Sequence, residues 1–122
     1  MFEVKFFGMK HDEKTAVGFK LNIDQKVLGY ITDTEYLESF GKDFSGCDLL
    51  IVNCLKPNID KYHGHLTTID TIKILKAAKP KQCVITHLGM KMIEIADSEA
   101  KKIEKETGVK TIAAEDGMKL VV

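Results

Sequence analysis

The chain has 122 residues, 44% of them hydrophobic and 30% charged, a composition that fits one globular domain spanning residues 1–122. Eighteen basic residues balance eighteen acidic ones, so no general attraction to nucleic acid is expected; every base is a lysine, which excludes bidentate arginine clamps on phosphate. No apolar run is long enough to span a bilayer, the start Met1-Phe2-Glu3-Val4-Lys5 has no signal-peptide pattern, and no membrane partner is expected.

Phe2 to Phe7 alternates and predicts a strand. Ala16 to Ile23 and Lys26 to Thr32 predict two more, joined as a hairpin by Asp24-Gln25. Thr34 is placed to cap a short helix carrying Tyr36, Leu37 and Phe40. Cys47 to Cys54 is nearly continuous in apolar residues, as a strand buried on both faces would be. Thr67 to Ala78 predicts a helix with Thr67 as N-cap and Asp70 three residues on. Its face would carry Ile69, Ile72 and Leu75, with Lys73 and Lys76 opposite and Pro80 as the stop. Gln82 to Thr86 is the next strand. A second long helix from Met92 lines up Met92, Ala96, Ala100 and Ile103 and stops at Gly108. Val109 to Ala114 and Met118 to Val122 close the chain as strands around Asp116-Gly117.

This order of elements predicts an α/β chain, a mixed sheet with helices on one face. The three cysteines, Cys47, Cys54 and Cys83, are odd in number, lie in strand-like runs and include no Cys-x-x-Cys. Buried free thiols in a reducing compartment, the cytoplasm, are the simplest account, and a structural zinc ribbon is not expected.

Polar residues at strand ends stand out by position. His11 follows the first strand in Lys10-His11-Asp12, Asp33 ends the third in Ile31-Thr32-Asp33-Thr34, His65 precedes the helix in His63-Gly64-His65-Leu66, and His87 ends a strand in Ile85-Thr86-His87-Leu88. Neighbouring strands that run the same way bring their ends to one rim, where such groups can share a site. Imidazoles with a carboxylate are a zinc-like ligand set. A single strand-end histidine is more often solvated or hydrogen-bonded, Asp33 alone suits a turn or cap, and His63 reads as a loop residue.

In these segments the chain resembles the metallo-β-lactamase superfamily, in its phosphodiesterase and ribonuclease Z-like branch. His11-Asp12-Glu13-Lys14-Thr15-Ala16-Val17-Gly18-Phe19 is similar to that branch's His-Asp stretch and following Val-Gly-aromatic strand. Ile31-Thr32-Asp33-Thr34 is similar to its "TDT" motif, and Cys47-Asp48-Leu49-Leu50-Ile51-Val52 to its "aDlli" strand. Gly64-His65-Leu66-Thr67-Thr68 matches a "GHLS"-type helix opening, and Ile85-Thr86-His87-Leu88-Gly89 a closing "LTHFS"-type motif. The matches keep the family's order across roughly residues 8 to 90.

The resemblance implies half of an αββα sandwich, with His11 on a first metal, Asp33 bridging two metals, His87 on a second, and His65 off the metals beside the leaving group. Zinc or manganese is the implied cofactor, and a small phosphodiester, another ester or an RNA the implied substrate. Asn53 and Cys54 stand where many relatives carry an acidic residue. The family's His-x-His-x-Asp-His motif is missing; His63-Gly64-His65 has the spacing but is followed by Leu66-Thr67-Thr68. Met1 stands just ahead of a strand, where an intact relative would be midway through its fold, which points to truncation.

The expectation is therefore a C-terminal half of a metal-dependent hydrolase, without substantial activity alone. Its bare sheet face would pack on a separate N-terminal-half chain or on a second copy, the latter as a two-fold dimer. The alternative is a non-catalytic oligomerisation or binding module built on the same fold.

Overall fold

The structure is a computed structural model describing residues 2–57 and 63–122; Met1 of the opening segment lies outside the described residues. Strand β1 (Phe2–Gly8) pairs antiparallel with β2 (Val17–Ile23), and β2 pairs antiparallel with β3 (Lys26–Ile31). Asp24 and Gln25 between them take φ of 46° and 65°, the left-handed pair of a two-residue turn whose twist suits the flanking strands.

From β3 onward the sheet is parallel. β4 (Leu49–Lys56) pairs with β3 and with β6 (Gln82–Thr86), and β7 (Lys110–Ala113) adds to β6. The two-residue β5 (Leu66–Thr67) pairs with the far end of β4. The described strands form one mixed sheet in the order β1-β2-β3-β4-β6-β7, with β5 beside β4.

The two faces of this sheet differ. Register places Ile31, Val52, Ile85 and Ala113 in one row across four strands, and all four are buried. They pack with Phe40 of α1 (Phe40–Asp43), Ile74 and Leu75 of α2 (Thr68–Ala78), Met92 of α3 (Met90–Ile93), and Ala100 and Ile103 of α4 (Ala96–Thr107). One residue back, the opposite face carries the row Phe6, Phe19, Tyr30, Ile51, Val84 and Ile112. Its β1–β2 end is open, with Phe2 66% and Phe6 63% exposed and Val17 and Ile23 also exposed. The helices thus cover one face, as expected of half a sandwich.

Helix α2 begins as its sequence dictates. The Thr67 hydroxyl accepts from the Asp70 N–H, and the Asp70 carboxylate accepts from the Thr67 N–H at 3.0 Å, a reciprocal cap on the first turn. Its buried stripe is Thr71, Ile74, Leu75 and Ala78, while Ile69 is exposed, so the helix is rotated from the expected face.

Other segments differ from expectation. The short helix starts at Phe40, because the Thr34 hydroxyl is spent elsewhere, accepting from the Lys10 N–H at 2.9 Å. The long helix breaks at Glu94–Ile95 into α3 and α4, yet Met92, Ala96, Ala100 and Ile103 remain buried. Met118 to Val122 form no strand; no ladder pairs them, and apolar alternation without a pairing edge leaves backbone groups to solvent.

All three cysteines are free and buried. Burial pushes the Cys47 and Cys54 thiols up to about 11 and the Cys83 thiol higher still, so they are poor nucleophiles.

Asp48 fastens the start of β4. Its carboxylate accepts from the Val27 N–H at 2.8 Å and meets Lys81 Nζ at 2.8 Å, while its own N–H donates to the Val27 carbonyl. The Lys81 hydrogen bond, then the Val27 one, holds this carboxyl below its usual range. Protons therefore bind the unfolded chain first, so the stabilisation is complete above the ordinary carboxylate range and lost as pH falls through and below it. Asp48→Ala is expected to lower the melting temperature at neutral pH, with the gap from wild type narrowing on acidification. Equal melting temperatures at neutral pH would remove this role from Asp48.

Candidate metal centre

β1, β3, β4, β6 and β7 all run in one direction, so their C-terminal ends share a rim. His11 leaves that rim after β1, Asp33 after β3 and His87 after β6, while Asn53 lies near the end of β4. His65 arrives on the strand-like segment entering β5.

The rim brings these side chains together. His11, Asp33 and His65 each offer a ligand atom, and these atoms lie within 4.8 Å of one another. The His11 and His65 rings meet edge to face with centroids 5.4 Å apart, and the His65 and His87 rings stack at 5.8 Å. Asp33 Oδ1 is 3.4 Å from His87 Nε2 and 3.9 Å from His65 Nδ1. The carboxylate of Asp33 is the shared centre. The compact group joins His65 to His11 and Asp33, and His87 reaches it through Asp33.

The local backbone explains each position. Thr34 is fully buried and accepts from the Lys10 N–H, while the Glu35 N–H donates to the Lys10 carbonyl at 2.9 Å. That double clamp carries His11 next to Asp33. His63 bonds Asp12 at 2.7 Å and lies 3.3 Å from Glu35, tying its loop to the same segment. The His11 ring lies against Gly64, where φ is 76° and an added Cβ would stand 2.9 Å from His11 Cδ2. His87 itself has φ 55°, a left-handed geometry that costs of order 1 kcal/mol for a non-glycine residue. The following turn is pinned by Gly89, whose N–H donates to the Leu55 carbonyl at 2.9 Å.

The electrostatics favour neutral imidazole at His65. Burial lowers its pKa, the neighbouring His11 and His87 lower it further, and Asp33 opposes them. A neutral ring carries one N–H donor and one lone pair. His11 Nδ1 accepts from the Glu13 N–H at 3.2 Å, which fixes the orientation of the ring. The imidazoles of His11 and His87 beside the Asp33 carboxylate are donors that fit zinc or manganese.

Thr34 and Gly64 lie inside the motifs Ile31-Thr32-Asp33-Thr34 and Gly64-His65-Leu66-Thr67-Thr68, whereas nothing in the sequence ties the pair Tyr30–Asn53 to Asp33. Asn53 Nδ2 donates to Asp33 Oδ1 at 2.8 Å, and Asn53 Oδ1 accepts from the Tyr30 hydroxyl at 2.9 Å. The glycine between two histidines is the one local sign of close approach. Beside His87 a cavity of about 540 Å³ is walled in part by Glu94, Asp97, Glu115 and Asp116.

A family model described as a beta-lactamase superfamily domain matches residues 2–88. Uncharacterized protein MJ1374 of Methanocaldococcus jannaschii is 31% identical over 119 residues, 96% of this chain and 44% of that one. The metallo-β-lactamase fold protein YhfI from Bacillus subtilis superposes with a TM-score of 0.84 at 21% identity, over 96% of this chain and 48% of its own. Zn(2+)-bound PqqB from Methylobacterium extorquens gives 0.78 at 18%, over 99% and 50%. The short form of human tRNase Z, ELAC1, gives 0.71 at 22%, over 96% and 42%. The chain thus spans about half the length of the relatives it matches.

Gly64→Ala is expected to destabilise the chain by roughly 1–2 kcal/mol, the cost of a left-handed alanine, and to displace the His11 ring. Chemical denaturation with NMR of the histidine ring protons checks both; unchanged His11 resonances would show that the ring does not depend on Gly64.

Proposed function

The chain belongs to the metallo-β-lactamase superfamily, and from that premise we propose that it forms the C-terminal half of a metal-dependent hydrolase acting on a phosphodiester or another ester. The observation that carries this reading is the convergence of His11, Asp33 and His65, with His87 stacked on His65, at one rim of the sheet. The zinc in PqqB supports zinc as the ion, and manganese suits the same donors.

A bound ion would polarise a phosphoryl or acyl oxygen and make water acidic enough to attack at neutral pH. His11, Asp33 and His87 are proposed to hold metal, with Asp33 central to both positions. His65 is proposed to stand beside the leaving oxygen. Held neutral by burial, it would steady that oxygen by donating a hydrogen bond rather than by delivering a charge.

The substrate reading follows from charge. Arginine is absent from the sequence, and carboxylates wall the cavity beside His87. Both disfavour a long polyanion and support a small phosphodiester or carboxylic ester over an RNA.

This chain's ligands, divided between two ions, fall short of the three protein ligands usual for catalytic zinc at each. The remaining ligands are proposed to come from a first-half sheet bearing His-x-His-x-Asp-His that docks on the open face. The doubled length of the relatives supports this occupant. The purified chain is expected to hydrolyse bis(p-nitrophenyl) phosphate, with zinc or manganese added, no faster than its Asp33→Ala variant. Co-expression with a first-half segment carrying that motif is expected to bring activity that Asp33→Ala abolishes. Turnover by the chain alone that Asp33→Ala removes would overturn the incomplete-site reading, and an inactive pair would favour a non-catalytic module.

The same face gives a separate expectation. Without a first half, Phe2, Val4, Phe6, Val17 and Ile23 remain exposed together, and contiguous apolar surface drives association. Sedimentation of the chain alone should show concentration-dependent self-association that a first-half segment converts to a one-to-one complex. A well-behaved monomer at micromolar concentration would remove the docking role from this face.

A further inference from the structure

We propose that Asn53 is a positioning residue for Asp33, and that Tyr30 positions Asn53 in turn, so that the central carboxylate is ordered before any ion arrives. The inference rests on the metal-binding reading above and adds residues that it does not use.

Asn53 is nine-tenths buried, with 8% of its surface exposed. Both ends of its carboxamide are engaged: Nδ2 donates to Asp33 Oδ1 at 2.8 Å, and Oδ1 accepts from the Tyr30 hydroxyl at 2.9 Å. The arrangement has one sense. Turning the amide over would set its oxygen against the Asp33 carboxylate, which has no proton to offer when ionised, so the carboxylate dictates the amide orientation. Tyr30 is fixed independently, because its ring stacks on Phe19 with centroids 5.8 Å apart and its backbone pairs with Ile51 on β4.

The chain of contacts therefore runs from a strand-borne aromatic ring, through a buried amide, to the carboxylate at the middle of the cluster. Asp33 lies beyond β3, outside the ladder that ends at Ile31, so its carboxylate would otherwise choose among rotamers. An amide also does what an acid at this position cannot: an ionised carboxylate 2.8 Å from Asp33 would repel it, whereas the amide N–H attracts it. Groups that hold a metal ligand from behind act by fixing its orientation, and their loss typically weakens binding about 10–100-fold.

Zinc titration by calorimetry on the wild-type chain, Asn53→Ala and Tyr30→Phe tests this, alongside melting of the metal-free proteins. Asn53→Ala is expected to weaken zinc binding about 10–100-fold, with a smaller loss in Tyr30→Phe, which keeps the ring but not the hydroxyl. Wild-type affinity in folded Asn53→Ala would overturn the proposal, as would a lowered metal-free melting temperature with unchanged affinity. If Asn53→Ala does not fold, Asn53→Ser carries the same comparison with the same outcomes. A metal-free readout separates this idea from the metal reading: the Asn53 side-chain amide protons should shift on Asp33→Ala and on Tyr30→Phe. Unmoved amide resonances overturn the positioning role even where zinc binds, and moved resonances without zinc binding to wild type, alone or with the first-half segment, overturn the metal role of the cluster instead.

Discussion

Most of what is distinctive in this chain follows from the position of β4 between β3 and β6, parallel to both. That pairing is held by an apolar row, Ile31, Val52, Ile85 and Ala113, buried under the helices. Full burial of each larger member is worth about 1.5–3 kcal/mol. Parallel strands enter from the same side, so residues just beyond their C-terminal ends have no choice but to meet. The antiparallel hairpin β2–β3 keeps β1 in the same sense as β3, which adds His11 to that rim. A one-residue slip in any ladder would turn the apolar row to the other face and scatter the polar residues with it.

The open face of the sheet reaches the site. Tyr30 belongs to the cross-sheet row on the open face, and through Asn53 it touches Asp33. Whatever covers the open face therefore approaches the carboxylate at the centre of the cluster. The open face and the cluster of polar side chains are thus contiguous in space.

The rim combines soft and firm holds. Thr34 and Glu35 grip the backbone of Lys10 by two hydrogen bonds, and Gly64 leaves room for the His11 ring. His87 is kept in a left-handed conformation, a cost the surrounding packing absorbs. A left-handed backbone at His87 and a close approach at Gly64 thus both fall beside the cluster, where backbone strain can hold a side chain in a set direction.

The amino-acid sequence by itself determined the element types wherever a strong local pattern existed. Asp24-Gln25 fixed the hairpin, Thr67 and Asp70 fixed the start of α2, Gly108 ended α4, and the apolar run around Leu50 fixed the central strand, because turns, caps and buried strands are set by a few residues acting over short range. It also marked His11, Asp33, His65 and His87 through the ordered motifs that resemble the superfamily. Only the tertiary structure decided that Thr34 clamps Lys10 instead of capping a helix, that α2 buries Ile74 rather than Ile69, and that Met118 to Val122 stay unpaired. Only there does Asn53 find Asp33. Each of these depends on a partner 20 or more residues away or on which sheet edge is already occupied, and no local pattern carries information about a neighbour brought close by the strand order.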